Sequence, residues 1–127
     1  MEDVRKFSIK ERINSFKYAF NGFKYLLKDE HNARIHLLIT IFVILLSIYF
    51  RISNQEWIMI CFAIGLVFVS EILNTAIEKL ADKISTEFDI NIKKAKDLGA
   101  AAVLFSAIIA VIIGALIFVP YILNLFE

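Results

Sequence analysis

Glycine occurs four times, proline once and cysteine once in 127 residues. The glycines, at 22, 65, 99 and 114, are too dispersed to form a Walker loop or a GxGxxG turn, which excludes P-loop and Rossmann nucleotide binding. A lone cysteine excludes an intrachain disulfide, and Cys61 lies inside an apolar run where packing is its expected role. Flexible linkers, low-complexity tracts and internal repeats are lacking too, so a single domain over residues 1–127 is expected. No signal-type apolar core precedes residue 35, and the N-terminus is expected to be retained. His31 and His36 have no partner at metal-ligand spacing, and His36, heading an apolar run, reads as a structural or interfacial polar group. No serine or cysteine nucleophile has a histidine base close in sequence. The net charge is only +1, and no nucleic-acid partner is expected.

What is present is apolar. Hydrophobic residues make up 59% of the chain, with 12 phenylalanines and a mean hydropathy of +0.70, which points to an all-α membrane protein. From about residue 8 to 28, Ile9, Ile13, Phe16, Phe20, Phe23 and Leu27 recur at alternating spacings of four and three, marking one face of a helix. Lysines and arginines fall largely off that stripe, so the helix either lies in an anionic membrane surface or packs on the protein's own core. Three spans follow, at about 32–50, 57–84 including a polar extension, and 98–123. The short 51–56 connection makes the first two antiparallel neighbours. Eight of the 14 basic residues precede Ile35, five lie from Lys79 to Lys96, and only Arg51 is in the first loop. The positive-inside rule then puts the N-terminus and the 85–97 loop in the cytoplasm, in a multi-pass inner (cytoplasmic) membrane protein.

The second span ends in EILNTAIE, residues 71–78. Trp57 to Ser70 covers roughly 21 Å at about 1.5 Å per residue, less than the roughly 30 Å of hydrocarbon. Glu71 therefore lies inside the membrane and Glu78 at or beyond its surface. Glu71, Asn74 and Glu78 share a helix face with Thr75 and Asp82. An intramembrane carboxylate is costly and points to function. Carboxylates with an amide oxygen are hard donors suited to magnesium, although Glu78 and Asp82 also fit a solvated helix face. Glu30 and Arg34 fit an ordinary i, i+4 helix pair or a further magnesium carboxylate. Lys96, read as lying beside the first turn of the third span, suits phosphate, while Lys93 and Lys94 set topology. Gly99 and the three alanines after it form a surface for close helix approach, with Gly65 and Gly114 expected to serve packing too.

Glu30 with Arg34, EILNTAIE, Asp82 and AKDLGAAAVL (residues 95–104), in that order across three spans, closely resemble the prokaryotic diacylglycerol kinase family of small membrane lipid kinases. The resemblance runs from about Ile13 to the end of the third span. It implies a surface helix plus three spans per subunit, a homotrimer with active sites between subunits, and transfer of the γ-phosphate of magnesium-ATP to a lipid alcohol. By resemblance, Glu71 is the general base, and Glu30 and Glu78 hold magnesium. Tyr18, Glu30, Asn74, Glu78, Glu87, Asp89, Lys96 and Asp97 then form the ATP side, while Arg34, Glu71 and Ala100 meet the acceptor. Diacylglycerol, giving phosphatidic acid, is the first acceptor expected, and undecaprenol is the alternative. His36 stands where the diacylglycerol branch carries an acid; with Glu56-Trp57 and the ending IIGALIFVP it resembles the undecaprenol kinase branch. Gly99 in KDLG resembles the diacylglycerol branch. Glu11 replaces a basic nucleotide contact of some members, with Arg12 beside it. A rival of another class is a small oligomeric ion- or proton-conducting subunit using Glu71 as a relay. Crowding of the polar groups toward one membrane face beside Lys96 favours phosphate chemistry over it, and a catalytically dead scaffold fits poorly with so complete a motif set.

Overall fold

A computed structural model describes residues 6–127 as four helices: α1 (Ile9–Asp29), α2 (His31–Phe50), α3 (Asn54–Ile84) and α4 (Ile90–Leu123). The last three are long and apolar enough to cross a membrane, which makes the chain a multi-pass membrane protein. The fold is all-α, as expected.

Each boundary has a local cause. Ser8 caps α1 by accepting from the Glu11 amide at 3.4 Å. Glu30 then adopts an extended conformation (φ −111°, ψ 115°) that breaks the chain between α1 and α2. This break removes the expected helix pair, because Glu30 and Arg34 no longer belong to one continuous helix. Arg34 instead reaches back to α1, where its Nε donates to the Leu27 carbonyl at 2.7 Å and its Nη2 to that of Lys28. A guanidinium is thus spent on the free carbonyls of a helix C-terminus. Arg51, left-handed at φ 51°, ends α2.

Ser53 starts α3 with a reciprocal capping box: its hydroxyl accepts from the Glu56 amide at 3.2 Å, and Glu56 Oε2 accepts from the Ser53 amide at 2.8 Å. The same Oε2 accepts from the Tyr121 hydroxyl at 2.7 Å, tying the α2–α3 turn to the end of α4. Beneath it Ile52, Ile60, Ile117 and Phe118 form the buried core, with Phe50 stacked on Tyr121 at 5.4 Å.

Two expectations fail here. The third membrane-length helix begins at Ile90, not near Leu98, because Asp89 accepts from the amides of Asn91 (2.8 Å) and Ile92 (3.1 Å) and starts a helix through polar sequence. Lys96 therefore lies beyond the first turn, where no free amides remain to join it in binding phosphate. Cys61 is exposed rather than packed. Most of the α1 stripe is exposed among the described residues: Ile9, Ile13, Phe16, Phe20 and Phe23 stand open, and Leu27 is half-buried.

Ser53→Ala removes one half of the capping box and is expected to cost about 1 kcal/mol of stability. Tyr121→Phe is expected to lower the thermal midpoint as well, both read by thermal unfolding in detergent micelles.

Candidate active site

Within the apolar part of the bundle, hydroxyls are satisfied by their own helices. Ser47, Ser70 and Ser106 donate to the carbonyls of Val43, Val67 and Ala102 at 2.7–2.8 Å. Against that background, three buried oxygens lack an aligned hydrogen bond among the described residues: Glu71 Oε1, Asn74 Oδ1 and Thr75 Oγ1. They are consecutive on one face of α3. An unpartnered buried polar group is costly, so a cluster of three marks a place built for something else to bind.

Glu71 is the deepest of them, 2% exposed. His36 of α2 brings Nε2 to 3.0 Å from Oε1, a close contact without an aligned hydrogen bond. The other groups acting electrostatically on this carboxylate are Glu30, at the α1–α2 break, and Glu78, two turns along α3. Glu30 and Glu78 thus lie near enough for their charges to act on Glu71. Asn74 Nδ2 donates to Glu78 Oε1 at 3.5 Å, a long bond that leaves both side chains available.

Gly99 of α4 makes this arrangement possible. A Cβ there would collide with Asn74 Oδ1, and the Asn74 Cα would lie 3.6 Å from it. Close helix approach is thus real at Gly99. It is absent at Gly65 and Gly114, where a Cβ would meet nothing within 4 Å, so the expectation of packing there fails for the single chain.

Beyond Glu78 lies a second, polar cleft of about 640 Å³ between the ends of α3 and α4. Asp82, Glu87, Asp89, Lys93, Lys96 and Asp97 line it. Lys96 Nζ pairs with Asp82 Oδ1 at 2.9 Å, and Lys93 Nζ with Asp97 Oδ2 at 2.6 Å. Asp89 spends one oxygen capping α4. Lys79 pairs with Asp29 at 3.1 Å and fastens the end of α1 to α3. Tyr18 stands exposed on α1 and lines neither cleft; Ala100 is exposed beside Gly99.

Among the described residues, no three His, Cys, Asp or Glu side chains converge as a metal cage. The donor set instead suits a cation that takes one or two carboxylates and completes its shell with water and phosphate oxygens, as magnesium does. Glu30 and Glu78 are the carboxylates that could serve.

A third feature is apolar. A groove of about 300 Å³ runs among α2, α3 and α4, and of the side chains lining it only His36 and Thr40 are polar. His36 both borders this groove and touches Glu71, so buried carboxylate and hydrocarbon slot meet at one imidazole.

The family model described as prokaryotic diacylglycerol kinase matches residues 17–118. The chain belongs to that family. The prokaryotic diacylglycerol kinases are small lipid kinases, and two relatives span most of both lengths. The undecaprenol kinase of Bacillus subtilis is 38% identical over 106 residues, covering 84% of this chain and 86% of the relative. The diacylglycerol kinase of Haemophilus influenzae is 32% identical over 107 residues, covering 84% and 91%. Sequence reasoning missed two features of this diacylglycerol kinase family member: the His36–Glu71 contact and the seating of Asn74 on Gly99. A signal for the first existed, since His36 is a polar residue in the opening turns of α2, at the membrane depth expected for Glu71.

Gly99→Ala tests the seating. The new Cβ pushes on the end of the Asn74 side chain, which can swing away, so the fold survives while the site is disturbed. Kinase turnover is expected to fall by about tenfold or more, as misplacement of a positioned group does. Gly22→Ala, which adds a Cβ in open space, should leave turnover within about twofold. Steady-state kinetics of the two variants, with thermal midpoints alongside, check this.

Proposed function

We propose that this protein transfers the γ-phosphoryl group of magnesium-ATP to a membrane lipid alcohol, with Glu71 as general base. The observation that carries the reading is the position of Glu71: a buried carboxylate touching His36, which borders the apolar groove, on the helix that leads on to the polar, lysine-bearing cleft. Phosphoryl transfer requires mainly positioning and charge neutralisation. Glu71 takes the proton of the acceptor hydroxyl as that oxygen attacks phosphorus, and Asn74 braces the stripe from its seat on Gly99.

Lys96 and Lys93 supply positive charge for the phosphates. Their present pairs with Asp82 and Asp97 are exposed, and exposed pairs are worth only about 0–1 kcal/mol, so exchange for phosphate oxygens costs little. Glu87, Asp89 and Asp97 border the same cleft, and Tyr18 belongs to the nucleotide side by resemblance. Glu30 and Glu78 would hold the magnesium ion, which would supply positive charge to the transferring phosphate. Arg34 and Ala100 lie on the acceptor side. Three copies assemble around the exposed apolar faces, where Phe62, Leu66 and Val69 of α3 are open in the single chain, and complete the sites between subunits. The basic-residue distribution orients the active site to the cytoplasm, where ATP is.

For the acceptor, the groove favours a polyprenol such as undecaprenol. Diacylglycerol carries two ester groups near its hydroxyl that need polar partners, whereas a polyprenol is hydrocarbon up to the alcohol, and the groove offers only His36 and Thr40. The Bacillus subtilis relative, an undecaprenol kinase, supports the same choice. Diacylglycerol is the second reading, supported by the Haemophilus influenzae relative and by Gly99 in KDLG.

Purified protein in lipid with radiolabelled ATP and magnesium is expected to label undecaprenol in preference to diacylglycerol in a head-to-head assay. Label in neither would defeat the kinase reading. Glu71→Gln is expected to lower turnover by about 10²–10⁴-fold, the usual contribution of a general base, while assembly persists. Turnover near that of the unsubstituted protein would defeat the base assignment.

A further inference from the structure

Glu71 cannot pass a proton directly to water. It is 2% exposed, and a carboxyl that has accepted the acceptor's proton must lose it before the next turnover. The groups that act on it are His36 from α2, Glu30 from the α1–α2 break and Glu78 from α3 itself, while Lys96 from α4 acts on Glu78. Of these, only the imidazole has two ring nitrogens, one to accept a proton and the other to release one. Its Nε2 is already 3.0 Å from Glu71 Oε1, within proton-transfer reach, and the His36 side chain is 21% exposed where that of Glu71 is 3%. A modest ring rotation about a soft torsion aligns the two.

We propose that His36 is the positioning residue of the transfer step and the outlet for its proton. With the ring proton on Nδ1, unprotonated Nε2 stands 3.0 Å from Oε1, ready to receive a proton, and Oε2 of Glu71 faces the acceptor's hydroxyl. As the hydroxyl oxygen bonds to the γ-phosphorus and the bond to the ADP oxygen breaks, the hydroxyl proton moves to Glu71. Rotation of the protonated carboxyl brings that proton to Nε2 of His36, forming an imidazolium–carboxylate pair; the Nδ1 proton then leaves to water, and exchange through water returns the ring to its starting tautomer. The carboxylate is regenerated without being opened to solvent. This inference rests on the lipid-kinase reading above.

The decisive variant is His36→Gln, whose amide keeps much of the reach of the imidazole but carries no proton. Its kcat is expected to fall by about tenfold or more, with the KM for undecaprenol within about twofold and the limb of the kcat–pH profile near neutrality flattened. His36→Ala should regain part of its rate on addition of free imidazole. Turnover of His36→Gln within twofold of the unsubstituted protein overturns the proposal. So does a fall in kcat with an unchanged pH profile and no imidazole rescue, which would mean packing alone.

A measurement that needs no activity guards against misfolded variants: the ¹⁵N titration of His36 in His31→Gln protein, where it is the one histidine left. Glu71→Gln is expected to shift that titration, and an unchanged curve overturns the contact on which the relay depends. If the unsubstituted protein labels no lipid alcohol at all, the kinase reading itself fails and this inference falls with it. Loss confined to the His36 variants speaks to His36 alone.

Discussion

The architecture turns on one constraint, the presence of an ionisable carboxylate in a membrane-length helix, removed from water. Neither bulk solvent nor hydrocarbon can stabilise Glu71, so the protein must, and intramembrane carboxylates persist where a partner or a function compensates them. The nearest polar group comes from another helix: His36 approaches from α2 to 3.0 Å, without an aligned hydrogen bond. Gly99 lets α4 close against Asn74 one turn further on. Two helices, α2 and α4, thereby meet one face of α3, and among the described residues the buried oxygens left without partners all lie on it.

Polarity is graded along that face. From Trp57 to Ser70 α3 is apolar, and buried Ala63 and Val67 border the groove. Buried Glu71 and Thr75 with half-buried Asn74 form a polar step, and beyond Glu78 lies a cleft lined with lysines and acids. A molecule that is hydrocarbon at one end and an alcohol at the other matches the first half of the gradient, and a magnesium-bound triphosphate the second. The opposite end of the bundle is built differently. The Ser53 capping box, the Tyr121 bond and the apolar core beneath them form a closed structural clasp with its polar groups satisfied.

Much of this was legible in the sequence because hydrophobic periodicity and length carry it. The spans, the amphipathic α1 and the shared face of Glu71, Asn74 and Glu78 follow from helical spacing alone. The start of α4 was not legible, since its opening turns carry lysines and an aspartate, and the sequence signal for a span begins only where the apolar run does. The alternative of an ordinary Glu30–Arg34 helix pair does not appear for a similar reason: spacing joins the two, but the helix is interrupted at Glu30 and the guanidinium turns back to close α1. His36 eluded the reading because its contact depends on the register of α2 against α3, and no periodicity within one helix encodes its rotation relative to another.

The most direct measurement is a structure of the assembled protein with undecaprenol and a non-hydrolysable magnesium-ATP analogue. The account predicts the acceptor hydroxyl at roughly 3 Å from the Glu71 carboxylate, its chain in the groove bordered by His36 and Phe118, and the phosphates beside Lys96. A hydroxyl bound away from Glu71, with the groove empty of lipid, would contradict it.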